Sequence, residues 1–491
     1  MKLFKVMCVM ALVFAVSAIA YAETQSVKVS GDITVRGLAR NNYDLNADDA
    51  SAANTGSQST NMATSLMSTT EIQIDADLTD NVAGTVRLVN QRVWGAGDNA
   101  SAGDETGIVA NPFTDQFTAA AIAPGTGASF DILLDLAYIE LKEFLYSPLT
   151  LKIGRQDIWF GKGFIIGTNM QNPQAALYAP EYTAITSFDA IRATLDYDPW
   201  TIDAIFAKAD ENYRRADDDI NLFGVNVGYV FDDYNAEMEG YWFFKQDRFT
   251  GTLGAAGMGL ISSINGNCDN DVHTFGLRGS FDPLEDWTVA LEGAYQGGHY
   301  LGAQSQVEER TRSAFAIDAI AECRYFQDNF AWKPVLSAEY IFYSGEENMG
   351  NVTADAAGEY QGWDPMFRGK TDTAIREWQN VYYGTDEAAA PSFTNQHQII
   401  IKGVVEPTDS LTAELAYAHF WLAEPWATVT TAVNQNTEKS IGSEVDLNLT
   451  WDYTEDVQFG LLTGMFFPGA YFGSGQDDTA TDVVGTVTLN F

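Results

Sequence analysis

The last eleven residues, Thr481-Asp482-Val483-Val484-Gly485-Thr486-Val487-Thr488-Leu489-Asn490-Phe491, decide the fold. Apolar side chains recur at every second position, at Val483, Val487, Leu489 and Phe491, and the positions between them are mostly polar. A period of two places these two sets on opposite faces of a β-strand. An exposed apolar edge strand promotes aggregation in water. The stretch therefore predicts a closed barrel whose apolar face meets lipid; the alternative is the edge strand of a soluble sandwich.

The same alternation recurs along the whole chain and is punctuated by short turns rich in Asp, Asn and Pro. Such residues supply turn geometry. The eight short turns are Asp80-Asn81, Tyr146-Ser147-Pro148, Asp198-Pro199, Asp232-Asp233, Asp282-Pro283-Leu284-Glu285-Asp286, Gln327-Asp328-Asn329, Glu406-Pro407-Thr408-Asp409 and Thr454-Glu455-Asp456. Longer loops alternate with them at about 41–65, 96–129, 163–187, 246–271, 344–395 and 422–440. The pattern predicts an all-β, up-and-down antiparallel transmembrane barrel of about eighteen strands, with short periplasmic turns and long extracellular loops.

The N-terminus has the pattern of a secretory signal. Lys2 and Lys5 precede a short apolar run, and Ala20-Tyr21-Ala22 has the small-x-small form found before a cleavage site. We expect residues 1–22 to be a signal peptide and residues 23–491 to form the barrel. The last strand resembles the assembly signal of bacterial outer-membrane barrels, which ends in an aromatic residue, here Phe491. We therefore expect a bacterial outer-membrane location, with outer-membrane lipid, lipopolysaccharide and the barrel-assembly machinery as partners.

Aromatic residues lie near both ends of the predicted strands, as the two headgroup-level belts of a membrane barrel require. Beside the short turns are Tyr197, Trp200, Phe231, Phe281, Trp287, Phe326, Trp332, Trp451 and Tyr453. Near the long loops are Trp94, Trp159, Phe160, Trp242, Phe244, Tyr295, Phe342, Phe420, Trp421, Phe466 and Phe467. In a sandwich these residues would concentrate in the middle of the strands, so their distribution favours the barrel.

The chain is strongly acidic, with 27 Lys and Arg against 67 Asp and Glu and a net charge of -40. This excess excludes nucleic acid as a partner. Strand positions that alternate with the apolar rows are expected to line the pore. The basic candidates are Arg36, Arg87, Arg155, Arg192, Arg278, Arg324 and Lys402. The acidic candidates are Glu237, Glu239, Asp318, Glu322, Glu339, Glu444 and Asp446.

Several segments resemble the alginate-export family of outer-membrane barrels. They are Gly154-Arg155-Gln156 with Gly161, Ser187-Phe188-Asp189-Ala190-Ile191-Arg192, Gly362-Trp363-Asp364-Pro365-Met366-Phe367, Ile441-Gly442-Ser443-Glu444-Val445-Asp446-Leu447 and Gly464-Met465-Phe466-Phe467-Pro468-Gly469. The resemblance implies an eighteen-stranded barrel that conducts a polysaccharide or another solute, with pore arginines that pass a polyanion.

Counted over all inward positions, carboxylates outnumber Lys and Arg, which departs from that pattern; the further inward acids are Asp32, Glu71, Asp75, Asp196, Asp203, Glu292 and Glu414, and the further inward bases are Lys28 and Lys152. We therefore expect a weak cation preference; the competing expectation is anion preference from a constriction ring of Arg36, Arg87, Arg155, Arg192 and Arg278. Arg155 has the parity of a lipid-facing row, so a bulge at Gly154 must turn it into the lumen, or it must lie at the membrane interface. We favour the bulge because glycine in a strand often marks one.

The loop at 344–395 contains Asp372-Thr373-Ala374-Ile375-Arg376-Glu377-Trp378-Gln379-Asn380-Val381-Tyr382, whose apolar residues have helical spacing. This spacing predicts a short helix that packs on the barrel mouth, with Trp363, Phe367 and Trp378 as candidate constriction residues. The alternative is a loop that points outward.

Enzymatic motifs are weak. The four histidines have no metal-ligand spacing, and no Gly-x-Ser-x-Gly elbow occurs. We expect no catalytic residue, no metal and no cofactor. The sequence favours a passive outer-membrane channel for solutes or a polysaccharide. The alternatives are a barrel sheath around a periplasmic partner, and an adhesin or receptor that displays acidic loops.

Overall fold

The computed structural model describes residues 26–43, 45, 63–94, 132–169, 180–211, 219–247, 270–300, 310–346, 359–383, 393–425, 438–472 and 476–491. Residues 1–22, where the sequence predicts a signal peptide, lie outside these ranges. Large parts of the six predicted long loops also lie outside them.

Eighteen strands in these ranges form one closed antiparallel barrel, which confirms the predicted fold. The first thirteen are β1 (Ser26–Asn41), β2 (Ala63–Thr79), β3 (Val82–Val93), β4 (Leu133–Leu141), β5 (Leu149–Gln156), β6 (Phe188–Asp196), β7 (Trp200–Asp210), β8 (Ile220–Phe231), β9 (Ala236–Asp247), β10 (Asn270–Leu284), β11 (Trp287–Tyr300), β12 (Arg310–Cys323) and β13 (Val335–Tyr343). The short strand β14 (Glu359–Tyr360) pairs parallel with the loop end of β12. The wall continues with β15 (Gln396–Thr408), β16 (Leu411–Leu422), β17 (Ser440–Asp452), β18 (Val457–Pro468) and β19 (Ala480–Asn490).

Three short helical elements interrupt this pattern in the described residues. An α-helix, α1, spans Arg376–Tyr383, which agrees with the helical spacing in the long loop. Two 3₁₀ turns span Pro180–Tyr182 and Asp232–Tyr234. None of the described helices is long and apolar enough to cross a membrane.

The barrel closes where the first and last strands pair. β1 and β19 run antiparallel, with Val35 opposite Val487. Beyond this pairing, Phe491 N donates to Gly31 O at 3.0 Å and Gly31 N donates to Phe491 O at 2.9 Å. The Phe491 side chain is 58% exposed, on the outer apolar face. The last residue of the chain therefore takes part in the seam.

The eight predicted short turns all lie between neighbouring wall strands. For example, Asp198-Pro199 connects β6 with β7, and Thr454-Glu455-Asp456 connects β17 with β18. Ser26 pairs with Asp77 on this same side of the barrel. The long connections consequently leave from the opposite end.

Apolar side chains cover the outside of the wall, as the period of two requires. Val27 and Val29 of β1 are 57% and 58% exposed, and Ile72 of β2 is 41% exposed. The aromatic belt beside the short turns is present, with Trp200 packed against Tyr229 at 4.7 Å between ring centroids.

The interior differs from the predicted polar lumen in its loop-end half. Phe160, Phe420 and Phe466, which the sequence placed in the outer aromatic belt, are buried inside the barrel. The inward side chain of Phe243 is also buried, at 1% exposure. The strands that contain Phe243, Phe420 and Phe466 carry apolar residues on both faces near the long loops, because chain segments return into the barrel and pack against the wall. Parity alone could not show this second apolar environment.

Candidate functional site

Two chain segments occupy the barrel interior. The first inserted segment comprises residues 157–169 and 180–187, and the second inserted segment comprises residues 359–383. Wall residues hold both segments, so the lumen between β9 and β17 contains protein. Their contacts define the candidate site.

The second inserted segment is held at its helical end by two carboxylates of β17. Glu444 accepts a hydrogen bond from Ile375 N at 2.6 Å and another from Arg376 N at 2.9 Å. Asp446 accepts a hydrogen bond from Ala374 N at 3.2 Å. The first N–H groups of a helix have no partner within the helix. A wall strand therefore caps α1.

Lys370 ties the middle of the second inserted segment to the adjacent strands. Its ammonium lies 2.8 Å from Asp318 of β12, forms an ion pair with Glu339 of β13, and lies 3.3 Å from Asp372. Burial alone would lower the pKa of Lys370, but the three carboxylates raise it above its ordinary value. The ammonium therefore stays charged, and the two strands remain bridged.

A second ionic contact lies within the segment. Arg368 contacts Asp372 at 2.7 Å and Glu377 at 3.0 Å. The Glu377 side chain is 1% exposed. Burial raises the pKa of Glu377 to about 7, although Arg368 acts in the opposite direction. The start of α1 thus contains a carboxyl group whose charge changes near neutral pH.

The opposite end of the segment is anchored on β9, β11 and β12. Lys245 contacts Asp364 at 2.7 Å, and Gln296 exchanges hydrogen bonds at 2.8 Å with Asp364 N and O. Arg312 donates to Gly362 O at 2.7 Å. Burial would raise the pKa of Asp364, but Lys245 and Arg312 outweigh it and lower that pKa. The second inserted segment therefore reaches across the interior from β9 to β17.

The two inserted segments pack on each other. Ile166 and Phe367 form a parallel bridge, in which Phe367 N donates to Ile165 O at 3.0 Å and Gly167 N donates to Phe367 O at 2.8 Å. Phe188 of β6 packs edge-on against Phe367, with 5.5 Å between ring centroids. The segments and this part of the wall form one apolar core.

Four of the predicted pore arginines contact the first inserted segment. They project inward from β1, β3, β6 and β10. Their contacts are Arg36 over Tyr182 at 4.9 Å, Arg87 with Asp157 at 3.3 Å, Arg192 over Phe160 at 5.2 Å, and Arg278 beside Gly161, where an added Cβ would collide with the guanidinium.

Wall carboxylates compensate three of these arginines. Arg87 donates to Asp135 at 2.6 Å, and Arg192 lies 2.8 Å from Asp203. Arg278 forms an ion pair with Glu239. The arginines are consequently charge-neutralised groups at the edge of the inserted segment.

The remaining candidates nearer the short turns form local pairs. Arg324 contacts Glu322 at 2.7 Å, and Lys402 contacts Glu414 at 3.0 Å. Glu237 accepts a hydrogen bond from Ser280 at 3.3 Å. This half of the lumen has the polar, ion-paired surface that the alternation predicts.

Arg155 is an exception to the predicted lining. It pairs with Ala137 and Asp189, and no register shift occurs between β5 and either neighbour. The bulge that we favoured is therefore wrong. Asp189 lies two positions from Ile191, which is 45% exposed on the outer face. Arg155 remains on that face at the loop end of β5, 3.4 Å from Asp189.

Four acidic candidates have a different environment from the one expected. Asp318 and Glu444 are only 3% and 0% exposed, and with Glu339 and Asp446 they bind the second inserted segment. They project inward but do not line free solvent. The predicted acid surplus of the lumen is therefore smaller than residue counting indicates.

The constriction candidates are all buried within the barrel. Trp363, Phe367 and Trp378 are 3%, 1% and 7% exposed. Sequence reasoning did not identify Arg368 and Lys370 as the charged residues that hold this segment. The sequence signal that could have identified them is their position, since Arg368 and Lys370 closely follow Trp363 and Phe367 in the long loop. Among the described residues, no cluster of His, Cys, Asp and Glu is arranged to hold a metal ion.

The closed wall, the outer apolar surface and the polar lumen define an outer-membrane β-barrel of the channel class. A family model described as alginate export matches residues 58–486, and the chain belongs to that family. A search of curated proteins found no significant match.

Several solved structures have a similar fold. OccAB1 of Acinetobacter baumannii is 10% identical, with 96% of this chain and 98% of that chain covered and a TM-score of 0.52. OccK2 (OpdF) of Pseudomonas aeruginosa, solved in complex with glucuronate, is 12% identical, with 95% and 99% covered and a TM-score of 0.51. OpdQ of Pseudomonas aeruginosa is 11% identical, with 96% and 99% covered and a TM-score of 0.50. At these identities the similarity shows the fold alone.

Proposed function

We propose that this protein is a passive outer-membrane channel for uncharged polar solutes, sugars among them, with a weak preference for cations. The observation that carries the proposal is the charge compensation of the lumen. The inward arginines Arg87, Arg192 and Arg278 each have a wall carboxylate as partner. A compensated surface offers hydrogen bonds to a neutral solute and little net attraction to a polyanion.

The cation preference follows from the residual charge. Arg87 faces three carboxylates, those of Asp135, Asp157 and Glu71, at distances from 2.5 to 3.6 Å. One guanidinium carries a single positive charge against three carboxyl groups, so counter-ions are attracted to this region. Salt screens this attraction, which makes the preference weak at physiological ionic strength.

The inserted segments also bear on the alternatives. A sheath needs an empty interior through which its partner passes, whereas residues 157–169, 180–187 and 359–383 of this chain pack inside the barrel. This packing favours a channel. The adhesin alternative depends on the long loops, most of which lie outside the described residues.

Liposome swelling tests the proposal. Purified protein is reconstituted into liposomes, and swelling is recorded in glucose and in sodium glucuronate of equal osmolarity. We expect swelling in both, with a higher initial rate in glucose, because the lumen wall does not favour anions. A higher rate in glucuronate would indicate an anion pathway along the arginines. Swelling no faster than that of protein-free liposomes would contradict the channel.

A further inference from the structure

Trp159 lies on the first inserted segment with a partly exposed ring, although its position in the sequence suggested the outer aromatic belt. The ring is 49% exposed. Its Nε1–H donates to Gly161 O at 2.7 Å, which fixes the edge of the indole. The neighbouring side chain of Phe160 packs against Phe243 in the interior, at 5.3 Å between centroids. Trp159 is therefore part of the chain inside the barrel.

The buried face of this ring rests on bare backbone. A Cβ added at Gly369 would lie 2.6 Å from Trp159 Cζ3, and one added at Gly167 would lie 2.8 Å from Cε3. A Cβ at Gly163 would also collide with the indole. Contacts of this kind leave no room for a side chain at any of the three positions. The three glycines thus form a floor from both inserted segments, and the ring keeps one orientation.

The surroundings of the exposed ring are polar. Asp157 and Lys162 are exposed on the same segment. The adjacent Gly161 touches Arg278, which is paired with Glu239. Arg278 lies near the middle of β10, between its ends at Asn270 and Leu284. The ring therefore lies at about half the depth of the barrel, beside charged groups that can donate and accept hydrogen bonds.

We propose that Trp159 is a stacking platform for a neutral pyranose inside the lumen. The C–H bonds on one face of a pyranose carry partial positive charge, and the face of an indole carries partial negative charge. Asp157, which accepts hydrogen bonds from Arg87 and Thr186, and the exposed Lys162 lie close to Trp159 in the chain and offer polar groups to sugar hydroxyls. Because the glycine floor fixes the indole in advance, a sugar binds without the cost of ordering a mobile side chain.

The proposal deepens the proposed function, since it rests on the entry of sugars into the lumen. It assigns a specific binding site to neutral sugars, which the compensated charge of the lumen favours without indicating where they bind. A neutral sugar fits better than a uronate, because Arg192 and Arg278 already have carboxylate partners in Asp203 and Glu239.

Binding measurements test the platform independently of conduction. Maltotetraose is titrated by calorimetry into the detergent-solubilised full-length barrel and its Trp159→Ala and Trp159→Phe variants. Stacking on an aromatic ring corresponds to about a tenfold change in affinity. We expect Trp159→Ala to weaken binding by about tenfold or more and Trp159→Phe to retain most of it. The Phe variant also shows whether any loss comes from a misfolded segment, because it preserves an aromatic ring on the glycine floor.

The matched control is Trp200→Ala, which removes a 48% exposed tryptophan from the outer wall. It should bind maltotetraose like the wild type. Equal affinity of wild type and Trp159→Ala, or no binding to the wild type, would overturn the platform. Tighter binding of a uronate tetrasaccharide than of maltotetraose would overturn the neutral specificity. Calorimetry does not require an open pore, so a negative swelling result with Trp159-dependent binding would reject the channel and support the platform.

Discussion

The Glu444 carboxylate of β17 accepts the backbone N–H of Arg376 at 2.9 Å, which joins the barrel wall to the first turn of α1. Glu444 is fully buried and receives the N–H of Ile375 as well. One side chain therefore satisfies two backbone donors of a segment that belongs to a different part of the chain. The position of the helix depends on this wall residue.

Replacing Glu444 with Ala should loosen the second inserted segment. The change leaves two buried N–H groups without their acceptor, at a cost of about 1–3 kcal/mol each. We expect a larger and noisier single-channel conductance in planar bilayers, with the barrel still heat-modifiable on gels. Glu237→Gln is the control, since the side chain of Glu237 accepts a hydrogen bond from Ser280 of the neighbouring strand and is not one of the described groups that hold either inserted segment. A quiet channel of wild-type conductance in Glu444→Ala would show that this contact does not control the segment.

Removal of the second inserted segment should increase the conductance substantially. Deleting residues 355–387 takes away Trp363, Phe367 and Trp378 from the interior, while β13 and β15 remain paired with each other. The wall can therefore still close. Single-channel recordings of the deletion variant make the comparison, and an unchanged conductance would place the segment outside the conduction path.

Conductance should also rise with pH because of Glu377. Burial raises the pKa of Glu377 from 4.5 to about 7, so the protonated side chain favours the docked position of the second inserted segment. This contribution to docking is fully present below pH 4.5 and is lost as the pH rises through 7. Arg368 faces Glu377 and keeps its charge over this range, since nearby Tyr343, Glu377 and Asp372 outweigh burial and raise its pKa. We expect higher conductance at pH 8 than at pH 5, and a flatter profile in Glu377→Gln. A wild-type profile that falls with pH would contradict this assignment.

Phe491 should be needed for insertion. It continues the seam with Gly31 and ends the outer apolar row. Deletion of Phe491 should leave the protein in the periplasm or degraded, whereas Phe491→Tyr should insert. Heat-modifiable migration on gels measures the folded fraction. Normal migration of the deletion variant would count against a role for this residue in assembly.

A measurement of ion selectivity distinguishes the expected weak cation preference from the competing anion preference. We expect a reversal potential with weak cation preference across a salt gradient, fading as the salt concentration rises. Asp157→Asn should reduce that preference, because it removes one of the three carboxylates around Arg87. A clear anion-selective potential would instead favour the arginines as the determinant of selectivity.

The wall was largely predictable from the sequence, and the filling of the lumen was not. Alternation and turn chemistry are local, so the eighteen strands and the eight short turns follow from neighbouring residues. The inward direction of Glu444 also follows from its parity. Its partner, Arg376, lies 68 residues earlier, and no local pattern indicates which distant N–H a carboxylate will accept. The prediction that Phe420 and Phe466 lie in the aromatic belt near the long loops was wrong for the same reason, since the apolar interior forms only when the inserted segments pack inside the barrel.

The anchors of the second inserted segment imply an order of assembly. Its residues lie between β13 and β15 in the chain, yet Ile375 depends on Glu444 of β17, which is made later. Lys245 of β9, made earlier, holds Asp364 at the other end. The segment can make both attachments only after β17 has joined the sheet. The part of the wall from β9 to β17 must therefore be in place before this segment fills the lumen.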